Sequence, residues 1–377
     1  MGENVRVYDF KVETCDDSGE PGGPPPSAVC AALVGTDNGR IVEVFEDGGD
    51  AVSYSGGSFG IYDLLPTADD PADVFAVDST APSALASTDA GDSWIATASD
   101  SLDYGTNAKD EAGKLYRRVL SAKSIETSDD GVVWTSLITG LANGPMALWV
   151  GDSHIWWTEN ADSALHRADL DGTNQQSYAL GLPTYGAQVL LGRYGVPRLA
   201  LYSHDGTHGD LSIIDISDPD SPSLSTTSDP FDVANNFLNT VMPLGNGAWV
   251  AVTSQVDGSA GAIWQSTDDA VSWGQMVVDA SLGWINGNFY WSPMIAAELG
   301  DASDVWAGLL VPNLWHSTDS GVTWTQVTVL SDLGASEEWT SIAVACTGAP
   351  SPPVEPCVAE LQDPTVQASS TADPINT

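Results

Sequence analysis

The octapeptide STDSGVTW at Ser317–Trp324 has near-copies at Ser87–Trp94 (STDAGDSW), Thr127–Trp134 (TSDDGVVW) and Ser266–Trp273 (STDDAVSW). Each is a polar turn ending in tryptophan. Decayed versions lie between them: VFEDGGDAVSY at Val44–Tyr54, HRADLDGTNQQSY at His166–Tyr178 and IDISDPDSPSL at Ile214–Leu224. Turns near positions 46, 87, 127, 171, 218, 266 and 317 are spaced by about 40 to 51 residues, the period of four-stranded propeller blades. Seven units result.

The interior of each unit agrees with that count. The fourth reads MALWV, HIWWTE, SALHRADLDG and NQQSYAL, four short strands separated by Gly, Asp and Asn turns. The sixth and seventh units repeat the pattern, and no helical periodicity interrupts it. The expected fold is all-β: a seven-bladed β-propeller of four-stranded antiparallel blades over residues 1–346. A flexible Pro/Ser/Thr-rich tail is expected over 347–377. In the third unit the innermost strand is expected within Ser99–Thr106.

Four cysteines sit near the two ends, Cys15, Cys30, Cys346 and Cys357, with no CxxC spacing for zinc. Two closures of the ring are open. Either Trp339–Cys346 supplies the inner strand of the first blade and Cys30 faces Cys346, leaving Cys15 for Cys357, or Val5–Thr14 is that strand and Cys15 pairs with Cys30 across GEPGGPPP. The local Cys15–Cys30 pairing is preferred. Disulfides favour an oxidising compartment. The opening MGENVRVYDF has no basic n-region or apolar h-region, so an extracellular, periplasmic or cell-surface location implies a signal peptide already removed. No apolar run is long enough to insert in a membrane.

With 52 acidic against 11 basic side chains, the net charge is −41. Such a surface repels nucleic acid, anionic lipid and polyanionic glycans, and favours cations, basic proteins or neutral sugars. Nearly half the basic residues fall at Lys109, Lys114, Arg117, Arg118 and Lys123. They are expected to pair with Asp100, Asp103, Asp110 and Glu111, or to dock an acidic group.

The octapeptides resemble the Asp-box, or BNR, repeat of sialidase-type propellers, Ser/Thr-x-Asp-x-Gly-x-Thr-Trp. The stretch HIWWTENADSALHRADLDGTN resembles the Tyr-Trp-Thr-Asp repeat of extracellular receptor propellers. Both resemblances imply blades. Their carboxylates and indoles, at Asp89, Trp94, Asp129, Trp134, Asp268, Trp273, Asp319 and Trp324, are expected to be structural: Asp accepts backbone N–H bonds within its own hairpin, and Trp buries a face against a sheet. At Ala270, which replaces the box glycine, a strained or altered turn is expected.

Sialidase activity is not expected. The family's arginine cluster and Arg-Ile-Pro signature find no match among Arg6, Arg40, Arg117, Arg118, Arg167, Arg193 and Arg198. Function is expected on the face opposite the boxes, where loops on a rigid scaffold carry it. SLGWINGNFYWSP at Ser281–Pro293 offers Trp284, Asn286, Asn288, Phe289, Tyr290 and Trp291 as stacking faces and amides for a neutral glycan or a protein. YSHDGTHGD at Tyr202–Asp210 offers His204, Asp205, His208 and Asp210 as metal ligands. No cofactor is required by any motif, while calcium or another divalent cation fits the acidic turns. The leading expectation is a monomeric binding propeller. The alternatives are a glycoside-processing enzyme with paired carboxylates and a scaffold or assembly factor docking through Lys109–Lys123.

Overall fold

Strand side chains alternate between the two faces of a sheet, so neighbours in sequence serve different neighbours in space. Trp156 and Trp157, consecutive and both almost fully buried, pack into two different hydrophobic clusters. That division governs the molecule. The computed structural model describes residues 29–55, 60–67, 70–78, 84–97, 107–151, 153–184, 187–204, 209–228, 231, 236–255, 260–282, 294–298, 302–308, 313–329, 333 and 339–347. The chain divides into a unit of residues 28–349 and a unit of 1–27 with 350–377, and every described residue lies in the former.

The strands, in chain order, are β1 (Val29–Thr36), β2 (Arg40–Val44) and β3 (Asp50–Ser55) of the first blade. The second blade holds β4 (Ile61–Pro66), β5 (Val74–Asp78), β6 (Ala84–Ser87) and β7 (Ile95–Thr97). In the third are β8 (Asn107–Lys109), β9 (Leu115–Val119), β10 (Ser124–Ser128) and β11 (Thr135–Ile138). The fourth has β12 (Pro145–Val150), β13 (His154–Glu159), β14 (Ala164–Asp169) and β15 (Gln176–Ala179). The fifth has β16 (Ala187–Arg193), β17 (Val196–His204), β18 (Gly209–Asp215) and β19 (Ser223–Ser228). The sixth has β20 (Asn236–Gly245), β21 (Ala248–Gln255), β22 (Gly261–Ser266) and β23 (Gly274–Asp279). The seventh has β24 (Ile295–Ala297), β25 (Val305–Ala307), β26 (Asn313–Ser317) and β27 (Thr325–Thr328), and β28 (Trp339–Thr347) returns to the first blade. All seven sheets are four-stranded antiparallel meanders, the first ordered β28-β1-β2-β3. The protein is a seven-bladed β-propeller.

Burial peaks in the second strands and falls toward the rim. β13 and β25 are almost wholly buried, whereas the fourth strands β15 and β23 are largely exposed. The core is divided among seven clusters, each drawn from two adjacent blades. Alternate residues of one strand feed the two seams: Ala32 and Val34 pack toward blade 7, while Leu33 packs toward blade 2.

The ring closes through β28, which pairs antiparallel with β1 along its length, with a register shift opposite Gly35–Thr36, and places Cys30 opposite Cys346. Those two cysteines form a disulfide across a sequence separation of 316. The preferred Cys15–Cys30 pairing is therefore corrected, because the inner strand of blade 1 is β28 and not Val5–Thr14. Cys15 and Cys357 lie outside the described residues. The inner strand of the third blade was expected within Ser99–Thr106, which lies outside the described residues; the inner strand described there is β8 at Asn107–Lys109.

The octapeptides form one hydrogen-bonded device between third and fourth strands. In blade 7, Ser317 Oγ receives the Gly321 N–H at 2.8 Å and donates to Asp319 Oδ1 at 2.9 Å. Asp319 also accepts from the Thr323 N–H and hydroxyl. Blade 2 repeats this with Ser87, Asp89, Gly91 and Ser93. Blade 6 does so with Ser266, Asp268, Ala270 and Ser272. Of the strained or altered turn expected at Ala270, the strain is present and the alteration is not: Ala270 takes φ 64°, and its N–H still reaches Ser266 at 3.0 Å.

Blade 3 departs by one residue. Ser128, not Thr127, anchors the turn, and Asp130, not Asp129, accepts the N–H groups of Val132 and Val133. Thr127 instead donates across the sheet to the Leu115 carbonyl. Asp129 lies exposed, 3.4 Å from Lys114. The turn is one residue shorter, and a like neighbouring carboxylate concealed the slip.

Each turn also touches the preceding blade. A Cβ built at Gly321 would come within 2.6 Å of Val250, and one at Gly91 within 2.6 Å of Leu33. Gly321→Ala adds a left-handed alanine and an overpacked seam, and should lower stability by about 2–4 kcal/mol in urea unfolding. Ala270→Gly removes a strained φ and a buried methyl together, and should change stability by less than about 1 kcal/mol. A cost for Ala270→Gly equal to that of Gly321→Ala would refute the assignment.

The turn carboxylates also set an acid limb. Asp268 is held below its ordinary value of 3.8 by the Ser272 hydroxyl and N–H and by Ser266, and Asp89 by Ser93 above all. A lowered carboxyl pKa adds stability that is present above the unfolded value and lost as pH falls through the folded one. The melting temperature of Asp268→Asn should therefore start lower at neutral pH and fall less steeply than wild type below about pH 4.

Candidate functional site

In an antiparallel meander the first-to-second and third-to-fourth turns share one face of the disc. The second-to-third turns and the links between blades share the other. The turn-to-turn bonds Ala90 N to Ala72 O, Asp269 N to Gly247 O and Ser320 N to Ser303 O all join elements of the octapeptide face.

On the opposite face, the longest connection between strands runs from β23 to β24. It begins with a 3-10 turn at Ala280–Leu282, and both Leu282 and Met294 are buried at its ends. Trp284, Asn286, Asn288, Phe289, Tyr290 and Trp291 lie outside the described residues. So do Asp205, His208 and the side chain of His204, while Asp210 sits half-buried on β18. The loop 205–208 joins second and third strands, as the spacing predicted.

The basic cluster makes several internal contacts, while Asp100 and Asp103, two of its expected partners, lie outside the described residues. Lys109 is 5% exposed and pairs with Asp73 at 3.0 Å. Burial lowers its pKa, against the pull of Asp73. Arg117 binds Glu126 at 2.7 Å and lies over the Trp134 ring. Arg118 and Lys123 donate to the carbonyls of Pro145 and Ala142. With Lys109 sequestered and Arg117 and Arg118 directed inward, these residues form no continuous exposed basic dock.

The first strands of all seven blades enclose an axial cavity of about 210 Å³, lined mainly by apolar side chains such as Leu65, Leu190, Val241, Ile295 and Val344. Its octapeptide end is crossed by the tight turn after β16. Arg193 Nη1 reaches the Leu244 carbonyl of blade 6 at 2.7 Å, and Nη2 the Glu298 carbonyl of blade 7 at 2.6 Å. The Tyr194 hydroxyl donates to the Lys109 carbonyl of blade 3. One hairpin thus ties blades 3, 5, 6 and 7 across the axis. Two clefts flank it, of about 580 Å³ toward blade 6 and 310 Å³ toward blade 4. In the first, Arg198 joins Asp215 at 2.6 Å and Asp269 at 2.9 Å, and Asp269 also accepts from Trp249.

Two histidines among the described residues stack flat on a tryptophan beside carboxylates. On the opposite face, His166 stacks on Trp157 and meets Asp162 at 3.0 Å, with Glu159 at 3.9 Å. On the octapeptide face, His316 stacks on Trp306 at 4.1 Å, and its Nε2 lies 3.0 Å from Asp304 Oδ1. Glu46, from the β2–β3 turn of blade 1, joins that pair, with one ligand atom from each residue within 4.8 Å of the others. A second grouping, Glu298 with Cys30 and Cys346, has its sulfurs committed to the disulfide. Neither the seam cluster nor the Arg193–Tyr194 plug was legible in sequence. Their partners lie up to hundreds of residues apart, and the only local signal was the His316 that directly precedes an octapeptide.

No protein-family model and no curated protein matches the chain. Among solved structures, the fold is similar to that of a GH74 xyloglucanase from Xanthomonas campestris (13% identity, TM-score 0.52, 79% of this chain and 55% of that one). It is also similar to a putative 6-phosphogluconolactonase from Bacteroides fragilis (11% identity, TM-score 0.56, 85% and 98%). A functionally unknown protein from Desulfotomaculum acetoxidans is a third (13% identity, TM-score 0.56, 84% and 98%). At these identities the likeness establishes the propeller fold alone, and the chain spans about half of the xyloglucanase.

Removing the axial strut tests the plug. Arg193→Ala leaves two inward carbonyls without their charged donor and should destabilise by about 2–3 kcal/mol in denaturant unfolding. A variant as stable as wild type would show that the strut ties nothing together.

Proposed function

We propose that the chain is an exported or surface-exposed binding propeller of the Asp-box type, recognising a neutral glycan or a protein segment on the face opposite its octapeptide turns. The observation that carries this reading is the β23–β24 connection. It is the longest link between strands, leaves blade 6 on that face, and carries two tryptophans, a tyrosine, a phenylalanine and two asparagines within Trp284–Trp291. Aromatic faces with interleaved amides suit a neutral sugar or an uncharged peptide surface. The charge of −41 favours neutral or cationic ligands over anionic ones. The closing strands of the ring end away from that face, since Val29 pairs with Thr347 at the octapeptide end of blade 1.

The second reading is a glycoside-processing enzyme that uses paired carboxylates on the same face. A glycosidase needs one carboxyl kept protonated near neutral pH beside a second carboxylate. Among the described carboxyls with a shifted pKa, only Glu43 moves upward, through burial and the nearby Asp92 and Asp89. It sits on a third strand beside the blade 2 turn, away from the axis. Asp89, Asp130, Asp171, Asp215, Asp268 and Asp319 all move downward. The segment 348–377, beyond β28, is read as the Pro/Ser/Thr-rich tail.

Arrays of neutral glycans and of peptides, probed with wild type and with Trp284→Ala and Trp291→Ala, test the proposal. Loss of an aromatic anchor should weaken binding at least about tenfold. Unchanged binding in both variants would refute the platform. Turnover of a neutral oligosaccharide that disappears on replacing one carboxylate would replace the binding reading with an enzymatic one.

A further inference from the structure

We infer that Glu46, Asp304 and His316 form a divalent transition-metal site, with Zn²⁺ as its natural probe, stapling blade 1 to blade 7 at the seam where the ring closes. Asp304 and His316 belong to blade 7, on the β24–β25 turn and on β26, while Glu46 crosses from the β2–β3 turn of blade 1. No sequence motif links them.

Geometry supports a common ion. Two ligand atoms each bonded at about 2.1 Å to one ion stand roughly 3.0–4.2 Å apart. His316 Nε2 and Asp304 Oδ1 are 3.0 Å apart, and all three ligand atoms fall within 4.8 Å of one another. Glu46 is exposed, and rotation of its side chain brings the carboxylate into the shell. The other two ligands are preorganised. His316 is 7% exposed and pinned flat against Trp306, and Asp304 is 8% exposed on a turn closed by the Glu298 N–H.

Charge supports it as well. Glu46 makes no hydrogen bond or ion pair with the other described residues outside this group. Two carboxylates converging on one imidazole leave a negative excess, in a chain that already carries −41. A divalent cation neutralises that excess. One imidazole nitrogen with two carboxylate oxygens suits Zn²⁺, Mn²⁺ or Co²⁺, whereas Ca²⁺ prefers six to eight oxygens. Solvent beside Glu46 completes the shell. The site lies on the octapeptide face, away from the loop proposed to bind ligand, and stands independently of that function.

The test uses the full chain stripped with chelator and dialysed against Zn²⁺ at neutral pH, with metal counted by elemental analysis and melting followed in parallel. One Zn²⁺ per chain and a raised melting temperature are expected. Glu46→Gln and His316→Gln should each weaken Zn²⁺ at least tenfold and remove the melting shift, whereas His154→Gln, in blade 4, should leave both unchanged. Because Glu46 is exposed, Glu46→Gln decides the matter even if His316→Gln fails to fold. No retained zinc, zinc binding indifferent to Glu46→Gln, or equal displacement by Ca²⁺ would each overturn the assignment.

Discussion

The antiparallel pairing of β1 with β28 is the constraint on which the rest depends. A row of seven sheets has two free edges, and unpaired strand edges invite association with other chains. Pairing Val29–Thr36 with Trp339–Thr347 turns that row into a ring. Bringing the two strands together closes nearly the whole chain into one loop, an entropic cost that grows only slowly with length. The Cys30–Cys346 bond removes much of it from the unfolded state, worth about 2–5 kcal/mol. The same strands supply Ala32, Val34, Ile342 and Val344 to the cluster shared with blade 7. Loss of the pairing would therefore open the seam as well as the edge.

Within the ring, the octapeptide turns act as spacers. The serine and aspartate satisfy the turn's own N–H groups, and the residue at the glycine position comes close enough to the preceding blade that a side chain there must be small. Tryptophans from these turns then reach further: Trp94 donates to Ser53 on the outermost strand of blade 1, and Trp273 packs edge-on to Phe231. Hydrogen bonding fixes the turn and packing fixes the spacing. Blade 3 shows how tolerant the device is, since it works one residue shorter through Ser128 and Asp130.

The blade count was legible because each blade repeats a local pattern: strands of a few residues, alternating burial and a polar turn. What failed to be legible was non-local or degenerate. Cys30 had two chemically equal partners, and only the three-dimensional order of strands selects Cys346. The described inner strand of blade 3, Asn107–Lys109, is three residues long, too short to carry an alternation that would mark it in sequence. Asp129 and Asp130 are identical side chains, and only their bonds separate them. Lys109 looked like surface charge, and its burial against Asp73 depends on a contact between blades. Of the candidate sites, the sequence located the aromatic connection between blades 6 and 7 but gave no sign of the plug or of the seam cluster.

Closure by β28 and its disulfide is most directly tested by peptide mapping of the intact, unreduced protein. Proteolysis without reductant, with free thiols blocked, followed by mass spectrometry identifies which peptide is linked to the one containing Cys30. The account predicts a linked pair containing Cys30 and Cys346, separating on reduction. A pair joining Cys30 to Cys15 would contradict it.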